Sequence, residues 1–594
     1  MRCPRRLPKT MLAAILAVGI AFPAPALAFA DDAADANKSA GESAVDTTTI
    51  SEGATQANDP ALFDELVEGV DYRGLLVTLD EDSKINLLSE DGGESELAQG
   101  LADAGLAVTN QIESADGSTL AVADVADDMR ASEAVAAAQE VPGVVSVQPN
   151  FVYRLVDEVP AGALDESAAS IADEQAEGDE DISTQALGMP NDDYVYTRDP
   201  NEPYNQYWLY TTRITRAWNL VHTDNTVTVA TLDTGVDFDH ADLEDNLLMD
   251  YAWDAYNSKP LSASVPNGDR IGHGTMVAGI ISARANNGIG LAGASFNATI
   301  LPVKVFNDTG APEATTASVL SGYKYVVDLA TSKTVSNLRV INTSFGSYNT
   351  YSSSGYCLKD EALRKAIVSA KNAGIVTVCS GGNGKEGKPR TDNIYPADFD
   401  ECVAVTALNT DNTNCYWSDY NKKKNISAPG LLVTTTDATG GYSKASGTSM
   451  AAPIVSGVFA LLFAAEPVAT VDDACRAIYL TATRIDDPEN DRTKTSGSKG
   501  VVDAEKAVNH LWGLGRTAYP GDWFFDAAYS MKARGAMTGD GVTGMFDPYK
   551  PMTRAMIAQV IYKKNAPYVI SPSCNKPDVD QNEWYTRAIN WCVD

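Results

Sequence analysis

A three-layer α/β fold, with a doubly wound parallel sheet between two layers of helix, is predicted for the central part of this 594-residue chain. A small α/β unit is expected before it. Three observations predict the central fold. Between residues 191 and 508, apolar β-rich runs alternate with helical ones, the order that crossover connections between parallel strands produce. The run Val227-Thr228-Val229-Ala230-Thr231-Leu232 is apolar or β-branched throughout, as expected of a strand buried on both faces. Residues 454–463 are almost unbroken in their apolar character, which reads as a helix buried on most sides.

In chain order, residues 1–30 read as a secretory signal. Arg2, Arg5, Arg6 and Lys9 precede an apolar core at 11–22, followed by Ala26-Leu27-Ala28 or Ala28-Phe29-Ala30 as small-residue cleavage sites. That core is too short to cross a bilayer comfortably, and no later membrane span is expected. Residues 31–70 form an acidic segment, rich in Ala, Asp, Ser and Thr without apolar periodicity, and are expected to be disordered. Residues 71–155 change pattern, with strands expected near 73–79, 119–125 and 144–154 and helices near 94–104 and 132–140. Residues 156–190 form an acidic linker, exposed and easily cut, so maturation cleavage is expected between Leu155 and Asn191.

In the central unit, 191–508, strands are expected at 227–232, 298–305, 340–345 and 374–380, and helices at 315–329 and 361–373. The 80 acidic residues outnumber the 45 basic ones, giving a net charge of −35, which argues against a nucleic-acid partner and suits an extracellular protein.

Within this frame three stretches carry chemistry. Gly447-Thr448-Ser449-Met450-Ala451-Ala452-Pro453 sets a serine at the start of the apolar helix, where unpaired N–H groups favour an anion. Asp233 closes the first buried strand, at the carboxyl edge where open α/β sheets place their sites. His273 stands between Gly272 and Gly274 at the start of another small-residue helix. A serine hydroxyl is a poor nucleophile unless a base removes its proton and an acid orients that base. The chain offers these parts in the order Asp, His, Ser. A fourth stretch, Ser380-Gly381-Gly382-Asn383-Gly384, puts an asparagine in a glycine-rich turn after a strand.

The motifs at Asp233, His273 and Ser449 resemble, in order and spacing, those of the subtilisin-like serine proteases, over about residues 191–508. The resemblance implies a serine endopeptidase in which Asp233, His273 and Ser449 form the triad and Asn383 donates its side-chain amide to the oxyanion. It implies that Ser344, Phe345 and Gly346 form one wall of the substrate cleft and Ser380, Gly381 and Gly382 the other, binding substrate as an added strand. Backbone recognition tolerates many sequences, so broad specificity is expected, and neither wall segment carries an acid. Residues 71–155 resemble the ferredoxin-like propeptide of that family, an inhibitor and folding chaperone. Asp242 and Asn287 resemble ligands of its calcium loop, which implies structural Ca²⁺.

His222, His240 and His510 lack flanking glycines and are expected to be structural or solvated. Of eight cysteines, Cys3 leaves with the signal, and the odd remainder implies a free thiol or an intermolecular bond, with a pair between Cys574 and Cys592 left open. Beyond Val508 the aromatic stretches at 522–528 and 584–591, and the intervening Met552-Thr553-Arg554, resemble S-layer homology repeats, which hold bacterial proteins to anionic wall polymers. That resemblance implies a small helical region over 509–594, polymer binding through Thr553 and Arg554 and a wall-associated location, with the second repeat apparently incomplete. The expectation is therefore a secreted serine endopeptidase acting on proteins or peptides, inhibited by its own propeptide. The competing expectations are a catalytically silent surface-binding protein and a processing protease with one native substrate.

Overall fold

The computed structural model describes residues 60–66, 68, 71–81, 96–155, 189–195, 205–348, 359–385, 387–488, 490, 492 and 495–511. The signal segment, the linker 156–188, Cys357, and the C-terminal region with Thr553, Arg554, Cys574 and Cys592 lie outside these residues.

The N-terminal unit contains β1 (Tyr72–Leu79), α1 (Glu96–Asp103), β2 (Leu106–Glu113), β3 (Thr119–Val125), α2 (Ala131–Gln139) and β4 (Val144–Leu155). Its strands pair antiparallel in the order β4-β1-β3-β2. Strand β2 was not expected, because exposed Thr109 and Asn110 and half-buried Gln111 interrupt its apolar positions. Disorder was expected through residue 70. Instead, Pro60–Glu65 form a 3-10 helix with Phe63 fully buried, and Asp64 accepts hydrogen bonds from the N–H (2.9 Å) and hydroxyl (2.6 Å) of Ser132 in the first turn of α2. Leu62, Phe63 and Leu66 supply the apolar anchors that the surrounding composition hid.

The central sheet is built on β5 (Thr228–Asp233), β6 (Trp253–Asp254), β7 (Lys259–Pro260) and β8 (Thr299–Lys304). Further along the chain come the short strand β9 (Glu313–Thr315), then β10 (Leu338–Thr343), β11 (Phe345–Tyr348), β12 (Val376–Ser380), β13 (Ile394–Tyr395), β14 (Cys402–Leu408) and β15 (Ile426–Pro429). Eight of these form one sheet in the order β15-β14-β12-β10-β5-β8-β6-β7, parallel except for the terminal β6–β7 pair. A separate hairpin joins β16 (Val433–Thr436) and β17 (Tyr442–Ala445).

Helices cover both faces. One carries α3 (His273–Ser282) and, after the hairpin, α6 (Thr448–Ala465), α7 (Val471–Thr481) and α8 (Ala504–Leu511). The other carries α4 (Thr316–Thr331) and α5 (Glu361–Asn372). The strands feed both cores by alternation: Val229 and Val340 face α3 and α6, while Ala230 and Ile341 face α4 and α5. Residues 340–345, expected as one strand, break at Ser344. There the chain leaves the parallel sheet and pairs elsewhere as β11.

The sheet of the N-terminal unit does not end at β4. Val152, Tyr153 and Arg154 pair with Thr315, Ala314 and Glu313 of β9, while Arg154 and Leu155 pair with Gly346 and Phe345 of β11. The last residues of β4 are thus a strand held on both edges. Asn150 Oδ1 accepts the N–H of Ala317 (2.9 Å) and Gln148 Oε1 that of Ala362 (3.1 Å), satisfying donors in the first turns of α4 and α5. Asp360, the N-cap of α5, is buried and takes hydrogen bonds from Tyr153 (2.8 Å), Gln148 (2.8 Å) and Thr316 (2.5 Å).

Candidate active site

The site forms at the carboxyl edge of the parallel sheet, where β5 stops at Asp233 and the N-termini of α3 and α6 arrive on the same face. Asp233 is fully buried. Its Oδ1 accepts the N–H of Thr234 (2.8 Å) and stands 2.8 Å from His273 Nδ1. The approach needs a glycine: a Cβ on Gly274 would lie 2.0 Å from the carbonyl of Gly235 and 3.2 Å from Asp233 Cβ.

A residue the sequence reading missed ties these parts together. Asp269, buried just before α3, accepts Thr234 Oγ1 (2.9 Å) and the N–H groups of Gly272 (2.9 Å) and Thr275 (2.9 Å). Thr234 Oγ1 also accepts the N–H of Gly274 (2.9 Å). One carboxylate therefore fastens the helix bearing His273 to the turn after Asp233. The only sequence signal is an acid four positions before a histidine, which by itself is uninformative. On the other side, Lys304, fully buried in β8, donates to the carbonyl of Thr234 (3.0 Å).

Ser449 is the second residue of α6, and α6 packs against α3. Asn383 Oδ1 accepts both the N–H and the hydroxyl of Thr448, each at 2.8 Å. This fixes the amide plane. A Cβ on Gly447, whose φ is +156°, would sit 3.0 Å from Asn383 Nδ2 and equally 3.0 Å from Ser449 Oγ. The amide donor and the hydroxyl therefore border one small space, which only glycine leaves open. Ser344 is buried and donates its hydroxyl to the carbonyl of Ser449 (3.0 Å), so the Ser344-Phe345-Gly346 segment lies beside the serine. Ser380, Gly381 and Gly382 lie where β12 leads into Asn383, and the N–H of Gly382 donates to Thr448 Oγ1 (3.1 Å).

Behind Gly382 lies Asp419, whose carboxylate accepts the Tyr348 hydroxyl and the Arg390 N–H, both at 2.6 Å. Burial pushes the Asp419 carboxyl up to about 6. Because the folded value lies above the unfolded one of about 3.9, this contribution to stability is complete below about pH 4 and is lost as pH rises through 6. Relative to Asp419→Asn, the wild type should lose about 2 kcal/mol between pH 4 and 7. Urea unfolding of both proteins across that range checks this, and parallel stability curves would refute it.

Asp242 and Asn287, expected as metal ligands, do meet: Asn287 Nδ2 donates to Asp242 Oδ1 (2.8 Å), and Leu291 N–H donates to Oδ2 (2.9 Å). Burial, with the charge of Asp192 acting in the same direction, pushes the Asp242 carboxyl up to about 7. Asp192, which the sequence reading did not single out, accepts the N–H groups of Asn286 (2.9 Å), Asn287 (3.1 Å) and Gly288 (3.2 Å). Among the described residues no three His, Cys, Asp or Glu side chains gather as a metal cluster. The donors here are two carboxylates and an amide, an oxygen-only set suited to a hard cation.

His240 is buried, with Nε2 2.9 Å from the carbonyl of Gly441, and His222 stacks on Phe296 at 3.7 Å. His510 is buried in α8. Cys379, Cys402, Cys415 and Cys475 are free thiols.

A parallel α/β sheet with helices on both faces, and a carboxylate, an imidazole and a helix-start serine at one edge, define a serine-type endopeptidase. A model of the subtilase family matches residues 224–515. Thermitase of Thermoactinomyces vulgaris is 32% identical over 314 residues, 52% of this chain and 99% of that protein. Subtilisin DY of Bacillus licheniformis is 31% identical over 283 residues, 48% of this chain and 90% of its own length. Among solved structures, fervidolysin from Fervidobacterium pennivorans, a keratinolytic enzyme related to subtilisin, shares the fold with a TM-score of 0.56 and 21% identity, over 75% of this chain and 62% of that one. The chain belongs to the subtilase family.

Proposed function

We propose that this protein is a secreted serine endopeptidase of broad specificity in which Asp233, His273 and Ser449 act as one catalytic unit. The 2.8 Å contact between His273 Nδ1 and the buried Asp233 carries the reading. With Nδ1–H donated to Asp233, Nε2 is the acceptor and can take the Ser449 proton. The serine oxygen attacks the scissile carbonyl, and His273 returns the proton to the leaving amine. Water, deprotonated by the same imidazole, then releases the acyl group. Asn383 Nδ2 and the Ser449 N–H stabilise the oxyanion, and a donor of this kind contributes roughly 10²–10³ in turnover.

The segments Ser344-Phe345-Gly346 and Ser380-Gly381-Gly382 hold the substrate backbone. Residues 71–155 act as inhibitor and folding chaperone. The pairing of Arg154 and Leu155 with Gly346 and Phe345 supports this, since it is the pairing an inhibitory strand would make with the cleft. A sheet assembled from distant segments folds slowly, and a partner that caps α4 and α5 helps it form. Removal of the N-terminal unit by cleavage between residues 155 and 191 yields the active domain, 191–508. Asp192, Asp242 and Asn287 would hold a structural Ca²⁺, which supplies charge compensation for two neighbouring carboxylates. The C-terminal region, 509–594, attaches the enzyme to an anionic wall polymer through Thr553 and Arg554, its likeness to S-layer homology repeats being the support.

The test is covalent labelling of the full chain with a fluorophosphonate. Labelling at Ser449 together with hydrolysis of a mixed peptide pool is expected. An inert serine would leave a surface-binding protein, and cleavage of a single sequence would indicate a dedicated processing protease.

A further inference from the structure

Glu313 lies in β9, on the opposite edge of the β4 strand from Phe345 and Gly346. Its carboxylate holds two arginines of the N-terminal unit. Oε1 is 2.7 Å from the guanidinium of Arg154, and Oε2 is 2.7 Å from that of Arg73. The side chain is only 12% exposed in this state. Its backbone is fixed from its own side of the cleft: the N–H donates to Asn307 Oδ1 (3.2 Å), and the carbonyl accepts the N–H of Asn307 (2.9 Å). Removal of residues 71–155 takes both cations away and leaves the carboxylate at the edge of the vacated strand position.

We propose that Glu313 is a specificity-determining residue that selects a lysine or arginine side chain at the substrate position corresponding to Arg154. The inference rests on the reading of this strand position as the substrate cleft. The register says where that residue falls. Arg154 is level with Gly346 and Leu155 with Phe345, so a substrate strand laid in the same register has its next residue level with Ser344. Ser344 is the residue hydrogen-bonded to the backbone of Ser449, which makes that next residue the acyl donor. The basic side chain is therefore the third residue on the N-terminal side of the cut, counting the acyl residue as the first. Neither Ser344-Phe345-Gly346 nor Ser380-Gly381-Gly382 offers an acid, so selection for charge enters through this third segment.

The experiment uses the full chain, incubated until its peptide-hydrolysing activity is constant, and peptides that differ only in Arg, Gln or Glu at the third position. In low salt, kcat/KM for Arg should exceed that for Gln by about tenfold, with Glu slower again. The ratio should shrink as salt rises, since the pair is partly exposed. Glu313→Gln should bring the Arg-to-Gln ratio within about twofold of unity, and Glu313→Arg should favour Glu. The wild-type ratio and its salt dependence test the idea even if a variant fails to fold. Equal rates for the three peptides, cleavage at another distance from the arginine, or an undiminished Arg preference in Glu313→Gln would overturn this assignment alone. No hydrolysis of any peptide would overturn it together with the protease reading.

Discussion

Replacing Ser449 by alanine is expected to lower kcat for peptide hydrolysis by about 10⁶, the scale established for subtilisin itself when its nucleophile is removed rather than a value obtained for this chain. The loss is that large because the three side chains act as a unit. Without the hydroxyl, neither the His273–Asp233 pair nor the Asn383 amide has a covalent step to assist. The residual rate, roughly 10³–10⁴ above that in water, comes from the oxyanion donors and from binding. Ser449 is the second residue of a helix buried along most of its length, and alanine is a good helix former, so the fold should persist. The same variant should remain uncut between residues 155 and 191, which mass spectrometry and N-terminal sequencing of the product would read. Normal processing by the purified variant, or turnover within about tenfold of wild type, would mean that the nucleophile lies elsewhere.

Asp233→Asn is expected to reduce kcat by about 10⁴ at neutral pH, the loss known for this change in the chymotrypsin-like triad. The carboxylate accepts both the Thr234 N–H and the hydrogen of His273 Nδ1, and its burial leaves no water to replace it. An asparagine in the same place can turn its NH₂ toward Nδ1. That stabilises the tautomer with its proton on Nε2, which cannot accept from Ser449. KM should change little, because Asp233 lies behind the imidazole rather than in the cleft. A pH–rate profile separates tautomer loss from simple unfolding. A drop of less than about tenfold in kcat would contradict the orienting role.

The residues proposed to carry chemistry were legible because three contexts occur together in the order Asp, His, Ser, although each alone has an ordinary structural reading such as a serine helix cap. Asp233 ends a strand with no other polar charge, His273 lies between glycines, and Ser449 precedes an apolar helix. The parallel sheet was legible too, since β5 and β12 are buried at every position. What escaped depends on distant pairing. Asp269 matters because it reaches Thr234, thirty-five positions away. Glu313 and Asp192 take their surroundings from partners far along the chain. Strand β2 escaped because its exposed face is too polar and its apolar face too short to show a period of two. The break at Ser344 escaped because the residues on either side are equally β-prone.

The seven-stranded arrangement in which β4 lies between β9 and β11 has one last consequence. If the proposed cleavage releases the N-terminal unit, its final residues would leave a trench one chain wide, roughly 10 Å across from backbone to backbone, with amide and carbonyl groups facing inward from both banks. Water would satisfy those groups imperfectly, so a loose, extended polypeptide would be drawn in, including frayed ends of neighbouring copies of the enzyme. Self-digestion should therefore rise with concentration, and the newly liberated N-terminal piece, still shaped to that trench, should slow it until the piece is itself degraded.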